Sequence, residues 1–425
     1  MHDLIDPILD YSYKGFPHQA GTLRRSDIGT QGWNLLRGDL PLPMAIIKQL
    51  ALERNIAWMQ AYVRQHGIDL APHGKTTMSP QLFQRQLDAG AWGLSFATVS
   101  QLRVGVAAGA RRCILANQVY TASDLGTIAA MLGAESELTI YFLLDSLAQL
   151  QLIERWHARR PDARPFDVLL EIGIVGGRTG CRTHADAIAL AGAAAASSAL
   201  RLCGVECFEG PSFGSDERAE SDKVAALLER VQYLASECER LGWFVQDEVI
   251  VSAGGSAVFD MVVANLKPRL ARPVRALLRS GCYIVSDHAF YQGMTASLCK
   301  RIGCDDALHG ALEVWASVQS LPEPGLAILA VGKRDLSFDL QMPMPLACVR
   351  EPGDVPRPLS HAYTISALND QHAFLRWDAG DDVPLLVGSM VALGISHPCT
   401  TFDKWRWMPI VDDDYNVVDA ITTQF

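Results

Sequence analysis

The 425-residue sequence has no run of lysine or arginine, no paired CxxC spacing and no apolar stretch of membrane length. Subtracting 47 acidic from 37 basic residues leaves a formal net charge of −10, and without a basic stripe a polyanion such as nucleic acid is excluded as the expected partner. The longest apolar stretch, Ala187 to Leu200, contains Ser197 and Ser198 and is bounded by Asp186 and Arg201, short of the roughly 20 residues a span requires. Ten cysteines, at 113, 181, 203, 207, 238, 282, 299, 304, 348 and 399, are scattered through a chain too long to need disulfide staples. With no basic and apolar leader at the start, the expectation is a cytoplasmic protein. Aromatics are few, at 8%, yet 49% of residues are hydrophobic, ample for one or two large cores.

Short apolar runs alternate with amphipathic stretches through most of the chain. Eight runs stand out: Pro43 to Ile47, Asp69 to His73, Gly93 to Ala97, Arg112 to Ala116, Leu138 to Leu143, Phe166 to Ile172, Leu200 to Phe208 and Glu248 to Ser252. Between them Leu50 to Gln65, Pro80 to Ala89, Leu147 to Arg159 and Ser221 to Leu241 carry apolar residues at helical spacing. Eight strand and helix units in about 250 residues predict an α/β chain built on a parallel (β/α)₈ barrel. Past Asp287 the runs Leu326 to Val331, Gln341 to Leu346, His361 to Ser366 and Leu385 to Leu393 are separated by Pro, Gly and Asp turns, which predicts a β-rich second domain. The expected boundaries are 1–40 for an N-terminal segment that joins the β domain, 41–290 for the barrel and 291–425 for the β-rich domain.

Barrel active sites collect at the C-terminal ends of the strands. One run leads there into His73-Gly74-Lys75-Thr76-Thr77, which sets a lysine where burial would make it a nucleophile; alone, a lysine after a strand is an ordinary loop residue. Another leads into Gly254-Gly255-Ser256, where paired glycines let backbone N–H groups approach a phosphate, or merely make a tight turn. A third, Gly176-Gly177-Arg178-Thr179-Gly180, offers a guanidinium either to an anionic oxygen or to a carboxylate on the rim. Taken together, lysine, phosphate cradle and arginine are the set that pyridoxal phosphate requires. Outside the barrel, residues 397 and 399 of Ser396-His397-Pro398-Cys399 point to one side of an extended chain, and imidazole with thiolate suits zinc. Two ligands are too few for a closed structural site, so either the site is open to water and substrate or the pair only packs.

With these motifs, and with Leu52-Glu53-Arg54-Asn55-Ile56-Ala57 as a first barrel helix, the sequence resembles the fold-type III pyridoxal phosphate enzymes. The resemblance covers nearly the whole chain, an alanine racemase-like barrel followed by a D-serine dehydratase-like domain. It implies that Lys75 binds the cofactor and acts in catalysis, and that His73, Arg178, Gly254, Gly255, Ser256, Tyr283 and Asp287 surround the cofactor. It also implies that His372, in the stretch Asn369-Asp370-Gln371-His372, lines the substrate pocket. The His397 and Cys399 pair resembles the metal pair of the zinc-dependent D-serine dehydratases, whereas related D-threonine aldolases carry HxD, and a thiolate is the softer, zinc-selecting ligand. Phe208 stands where relatives tend to have tyrosine, which leaves Glu206 as a partner for the cofactor's pyridine nitrogen. The expected activity is dehydration of a D-β-hydroxy amino acid, D-serine giving pyruvate and ammonia, in a homodimer. A metal-dependent D-threonine aldolase, a metal-free racemase and a non-catalytic amino-acid sensor are the alternatives.

Overall fold

The computed structural model describes residues 2–210, 217–255, 258–378 and 385–425. They form two compact units, one of Met59–Lys75 and Phe83–Gly281, the other of Met1–Trp58, Thr76–Leu82 and Cys282–Phe425.

The first unit is a parallel barrel. Its strands, numbered in chain order, are β1 (Asp69–Leu70), β2 (Leu94–Phe96), β3 (Arg112–Gln118), β4 (Thr139–Leu144), β5 (Phe166–Ile172), β6 (Leu200–Cys207), β7 (Val249–Ala253) and β8 (Val274–Leu278). Neighbours pair in parallel from β2 through to β8, and β8 pairs with β1. The ring closes where Trp92 N donates to Leu70 O at 2.8 Å, Ser95 N donates to Pro72 O at 2.8 Å, and His73 bridges Ser95. Strands β3 to β8 each send a side chain to one buried layer, which Ala71 just after β1 and Trp92 just before β2 complete: Ala71, Trp92, Ile114, Tyr141, Leu143, Leu169, Cys203, Ile250 and Leu277, so the interior is a packed core rather than a channel. The helices between strands start at hydroxyl caps: Thr98, Thr121, Ser146 and Thr183 each accept a hydrogen bond from the backbone N–H three residues on. Thr121 and Thr183 also donate to Asp124 and Asp186, which ties the first turn down from both ends.

One of the eight expected runs is not a barrel strand. Met44–Lys48 pairs antiparallel with Leu312–Glu323 and in parallel with Trp407–Val411, both in the second unit. The eighth barrel strand is instead Val274–Leu278, and residues 41–58 lie in the second unit with residues 1–40. The second unit is otherwise antiparallel: Leu312–Glu323 also pairs with Met390–Gly394 and Leu326–Leu329, and Ala373–Arg376 lies between Leu326–Leu329 and Thr364–Leu368. Its core is built on fully buried Trp315, Trp405 and Trp407. Among the described residues no helix is long and apolar enough to cross a membrane.

Candidate active site

In the barrel unit the chain leaves β1 through a single 3₁₀ turn, Gly74–Thr76, that carries Lys75. Glycine is required before the lysine because a Cβ at 74 would stand 2.5 Å from the Phe96 ring and 2.9 Å from that of Phe83. Burial first, and then the charges of Lys75, Arg279 and Arg178, hold His73 well below its ordinary value, so its imidazole is neutral at pH 7. Its Nδ1 is a buried nitrogen with no hydrogen-bond partner among the described residues.

At the same end of the barrel, β5, β6 and β7 present Glu171, Glu206 and Ser252 side by side in register. Arg279, the residue after β8, reaches across to them: it donates to Ser252 Oγ at 2.6 Å and pairs closely with Glu206. Burial pushes the Glu206 carboxyl up to about 8 against the pull of this guanidinium, and Oε2 is buried with no hydrogen-bond partner among the described residues. Glu171 accepts from Thr179 Oγ1 at 2.7 Å and closely from Gln118. A cavity of about 280 Å³ opens here, lined by Glu171, Ile174, Arg178, Thr179, Phe208 and Gly210. A larger one, about 520 Å³, lies away from these strand ends, against the outer helix Leu147–His157. Arg178 stands over the Phe208 ring at 4.1 Å and has no carboxylate partner among the described residues, so the rim ion pair is not what holds it.

The turn after β7 fits a phosphate. A Cβ at Gly254 would come within 2.6 Å of Phe208, Gly255 has φ +66°, and a Cβ at Gly255 would meet Leu278 at 2.3 Å. The Gly255 N–H donates closely to a carboxyl oxygen of Glu209, so the turn already presents a backbone donor to an acidic group. Ser256 lies outside the described residues.

The remaining sequence candidates stand in the second unit. Tyr283 is buried in the turn Cys282–Ile284. Asp287 is fully buried; its Oδ1 accepts from the backbone N–H groups of Ala289, Tyr291 and Gln292, and Oδ2 has no partner among the described residues. Burial outweighs those hydrogen bonds and pushes its carboxyl up to about 6. The His372 carbonyl accepts from Asn369 N at 2.8 Å and closes a hairpin turn, while the ring makes no hydrogen bond among the described residues.

His397 and Cys399 do come together. Cys399 opens the short helix Cys399–Phe402, and hydrogen bonds from Cys282 and then His397 hold its thiol well below the ordinary range despite burial. His397 is raised to about 9, first by its bond with Cys399, so each side chain favours the charged form of the other. Asp339 Oδ2 accepts from His397 Nδ1 at 2.5 Å, which leaves Nε2 as the nitrogen that could hold a metal. Soft sulfur, imidazole and a carboxylate behind the imidazole make a donor set that suits zinc. Among the described residues no three His, Cys, Asp or Glu side chains close on a common metal position as they stand. Thr76, covalently next to Lys75, has its Oγ1 3.4 Å from Cys399 Sγ. Sequence reasoning missed Arg279 and Asp339. Arg279 followed a strand that had not been recognised, and Asp339 is 58 residues from the histidine it orients, a pairing no local pattern announces.

A parallel barrel with a lysine at one strand end and a glycine turn with a backbone donor at another, joined to an antiparallel β unit, defines a barrel enzyme of the pyridoxal phosphate type. Residues 47–273, more than half of the chain, match the alanine racemase N-terminal domain family, and residues 311–411 match a serine dehydratase domain. The chain is 30% identical over 304 residues to D-threo-3-hydroxyaspartate dehydratase from Delftia sp. (strain HT23), covering 71% of this chain and 73% of that protein. It is 26% identical over 377 residues to D-threonine aldolase from Arthrobacter sp., covering 87% and 89%. In structure it is similar to D-threonine aldolase from Filomicrobium marinum, with a TM-score of 0.74, 22% identity and coverage of 92% and 97%. The chain belongs to the alanine racemase N-terminal domain family and is a pyridoxal phosphate-dependent lyase.

Proposed function

We propose that the protein is a zinc-dependent dehydratase of D-β-hydroxy amino acids, D-serine among them, that releases a 2-oxo acid and ammonia. The observation that carries this reading is the pairing of His397 with Cys399, with the Asp339 carboxylate accepting from His397 Nδ1 and fixing the imidazole from behind. The 30% identity to a dehydratase of a β-hydroxy D-amino acid supports it.

The cofactor, when bound, supplies an electron sink for charge at the substrate Cα. Lys75 would hold it, and its freed amine would accept the Cα proton. The Gly254 and Gly255 turn would take the phosphate in place of the Glu209 carboxyl, and neutral His73 adds no positive charge beside the lysine. His397 and Cys399 would hold zinc, which supplies a Lewis acid for the β-hydroxyl. Over the whole reaction the substrate loses water and then exchanges its amine for oxygen, so D-serine yields pyruvate and ammonia. The reading carries with it a cytoplasmic homodimer acting on free D-amino acids.

The second reading is a metal-dependent aldolase, favoured by the 26% identity to a D-threonine aldolase over 87% of this chain. Incubating the purified protein with D-serine, D-threonine and D-threo-3-hydroxyaspartate, with and without a chelator, separates the two. The expected result is a 2-oxo acid and ammonia that disappear on chelation. Glycine and an aldehyde would establish the aldolase and remove the argument from Cys399.

A further inference from the structure

A second sulfur lies beside the proposed metal pair. Cys282 Sγ is 3.6 Å from Cys399 Sγ, and both sit against Thr76 Oγ1, at 3.8 Å and 3.4 Å. Two sulfurs joined as a disulfide stand about 2 Å apart. Two thiolates at about 2.3 Å from one tetrahedral zinc stand roughly 3.8 Å apart. The observed separation excludes a disulfide; it is that of one sulfur hydrogen-bonded to the other, and it is close enough for both sulfurs to meet one zinc.

We propose that Cys282 is a third protein ligand of the metal held by His397 and Cys399; this rests on the metal reading above. The ligand count supports it. His397 and Cys399 alone are one ligand short of the three that catalytic zinc sites take from protein, and adding Cys282 gives a Cys₂His set whose fourth position stays open to water or substrate. The placement is built rather than incidental. Cys282 is 6% exposed, and it begins the turn Cys282–Ile284, so its backbone is fixed by the 3₁₀ geometry and its sulfur has little freedom to leave. Asp339 occupies His397 Nδ1 and so directs Nε2 to the metal, a constraint that leaves the two sulfurs to complete the set. Because no three donors already surround a single point among the described residues, binding must draw the imidazole and both sulfurs inward by small rotations.

X-ray absorption at the zinc edge of the cofactor-loaded wild-type enzyme counts the sulfurs without any variant. Two sulfurs at about 2.3 Å are expected, and one would overturn the assignment. The cobalt-substituted enzyme provides the second measurement. Its sulfur-to-cobalt charge-transfer absorbance should fall to about half in Cys282→Ser and in Cys282→Ala while the far-ultraviolet dichroism stays that of wild type. Equal absorbance in wild type and both variants would overturn the third ligand and leave the metal reading intact. Failure of the wild-type enzyme to bind zinc or cobalt would remove both.

Discussion

Asp339 does not touch the proposed metal, yet it decides which nitrogen of His397 can. Its Oδ2 accepts from Nδ1 at 2.5 Å, and its Oδ1 accepts from Thr400 Oγ1 at 2.8 Å, so carboxylate and ring are both held. A carboxylate behind a ligating histidine raises the ligand's basicity and fixes its orientation. Asp339→Asn should therefore weaken zinc binding about 10- to 100-fold, read by competition with a chromogenic chelator. Unchanged affinity would mean that the hydrogen bond is incidental. A different carboxylate sets a pH effect on stability. Asp287 has a folded value of about 6 against 3.8 for the free group, because it is fully buried. The folded state thus holds this proton more tightly than the unfolded state. The contribution is complete below pH 3.8 and is lost as pH rises through 6. The loss is on the order of 2–3 kcal/mol. Asp287→Asn keeps an oxygen for the three N–H groups and removes the titration. In urea melts of cofactor-free protein, wild type should therefore lose ground to the variant between pH 4 and pH 7. A constant difference across that range would show that Asp287 titrates normally.

Whether an element was legible in the sequence depended on how its surroundings treat its side chains. Met44–Lys48 reads as a barrel strand because four of its five residues are fully buried, and a strand covered on both faces looks the same in a barrel as in a mixed sheet. Val274–Leu278 was hidden by Arg275, whose charge breaks the apolar run. The structure satisfies that charge with Asp69 on β1 at 2.5 Å and Glu248 just before β7 at 2.8 Å, partners that no local reading supplies. The turn that carries Lys75 was legible for the opposite reason, since its requirement is local and steric. Gly74→Ala would drive a methyl group into the Phe96 and Phe83 rings at 2.5 Å and 2.9 Å. It should cost about 1–3 kcal/mol and displace Lys75. Urea denaturation and the ratio of bound cofactor per chain should fall together. Loss of stability with full cofactor occupancy would mean that the turn and the lysine are not coupled.

The chain passes between the two units four times, after Trp58, Lys75, Leu82 and Gly281. Two of those crossings fall at residues that matter. One separates Lys75 from Thr76, the neighbour of Cys399, and another precedes Cys282 by a single peptide bond. The proposed cofactor residues His73, Lys75, Gly254 and Gly255 therefore belong to the barrel unit, and Cys282, Asp339, His397 and Cys399, of the proposed metal site, to the β unit. A ligand that binds only the folded state stabilises what it touches, by about 2.7 kcal/mol at one hundred times its dissociation constant. Hydrogen exchange should then divide by ligand. Pyridoxal phosphate alone should slow exchange around 71–75 and 252–255. Zinc alone should slow it around 282–292 and 396–403, and also at 76–79, because Thr76 touches Cys399. Zinc protection confined to the barrel strand ends would place the metal elsewhere. Protection of both sets by either ligand would show that the covalent crossings transmit order from one unit to the other.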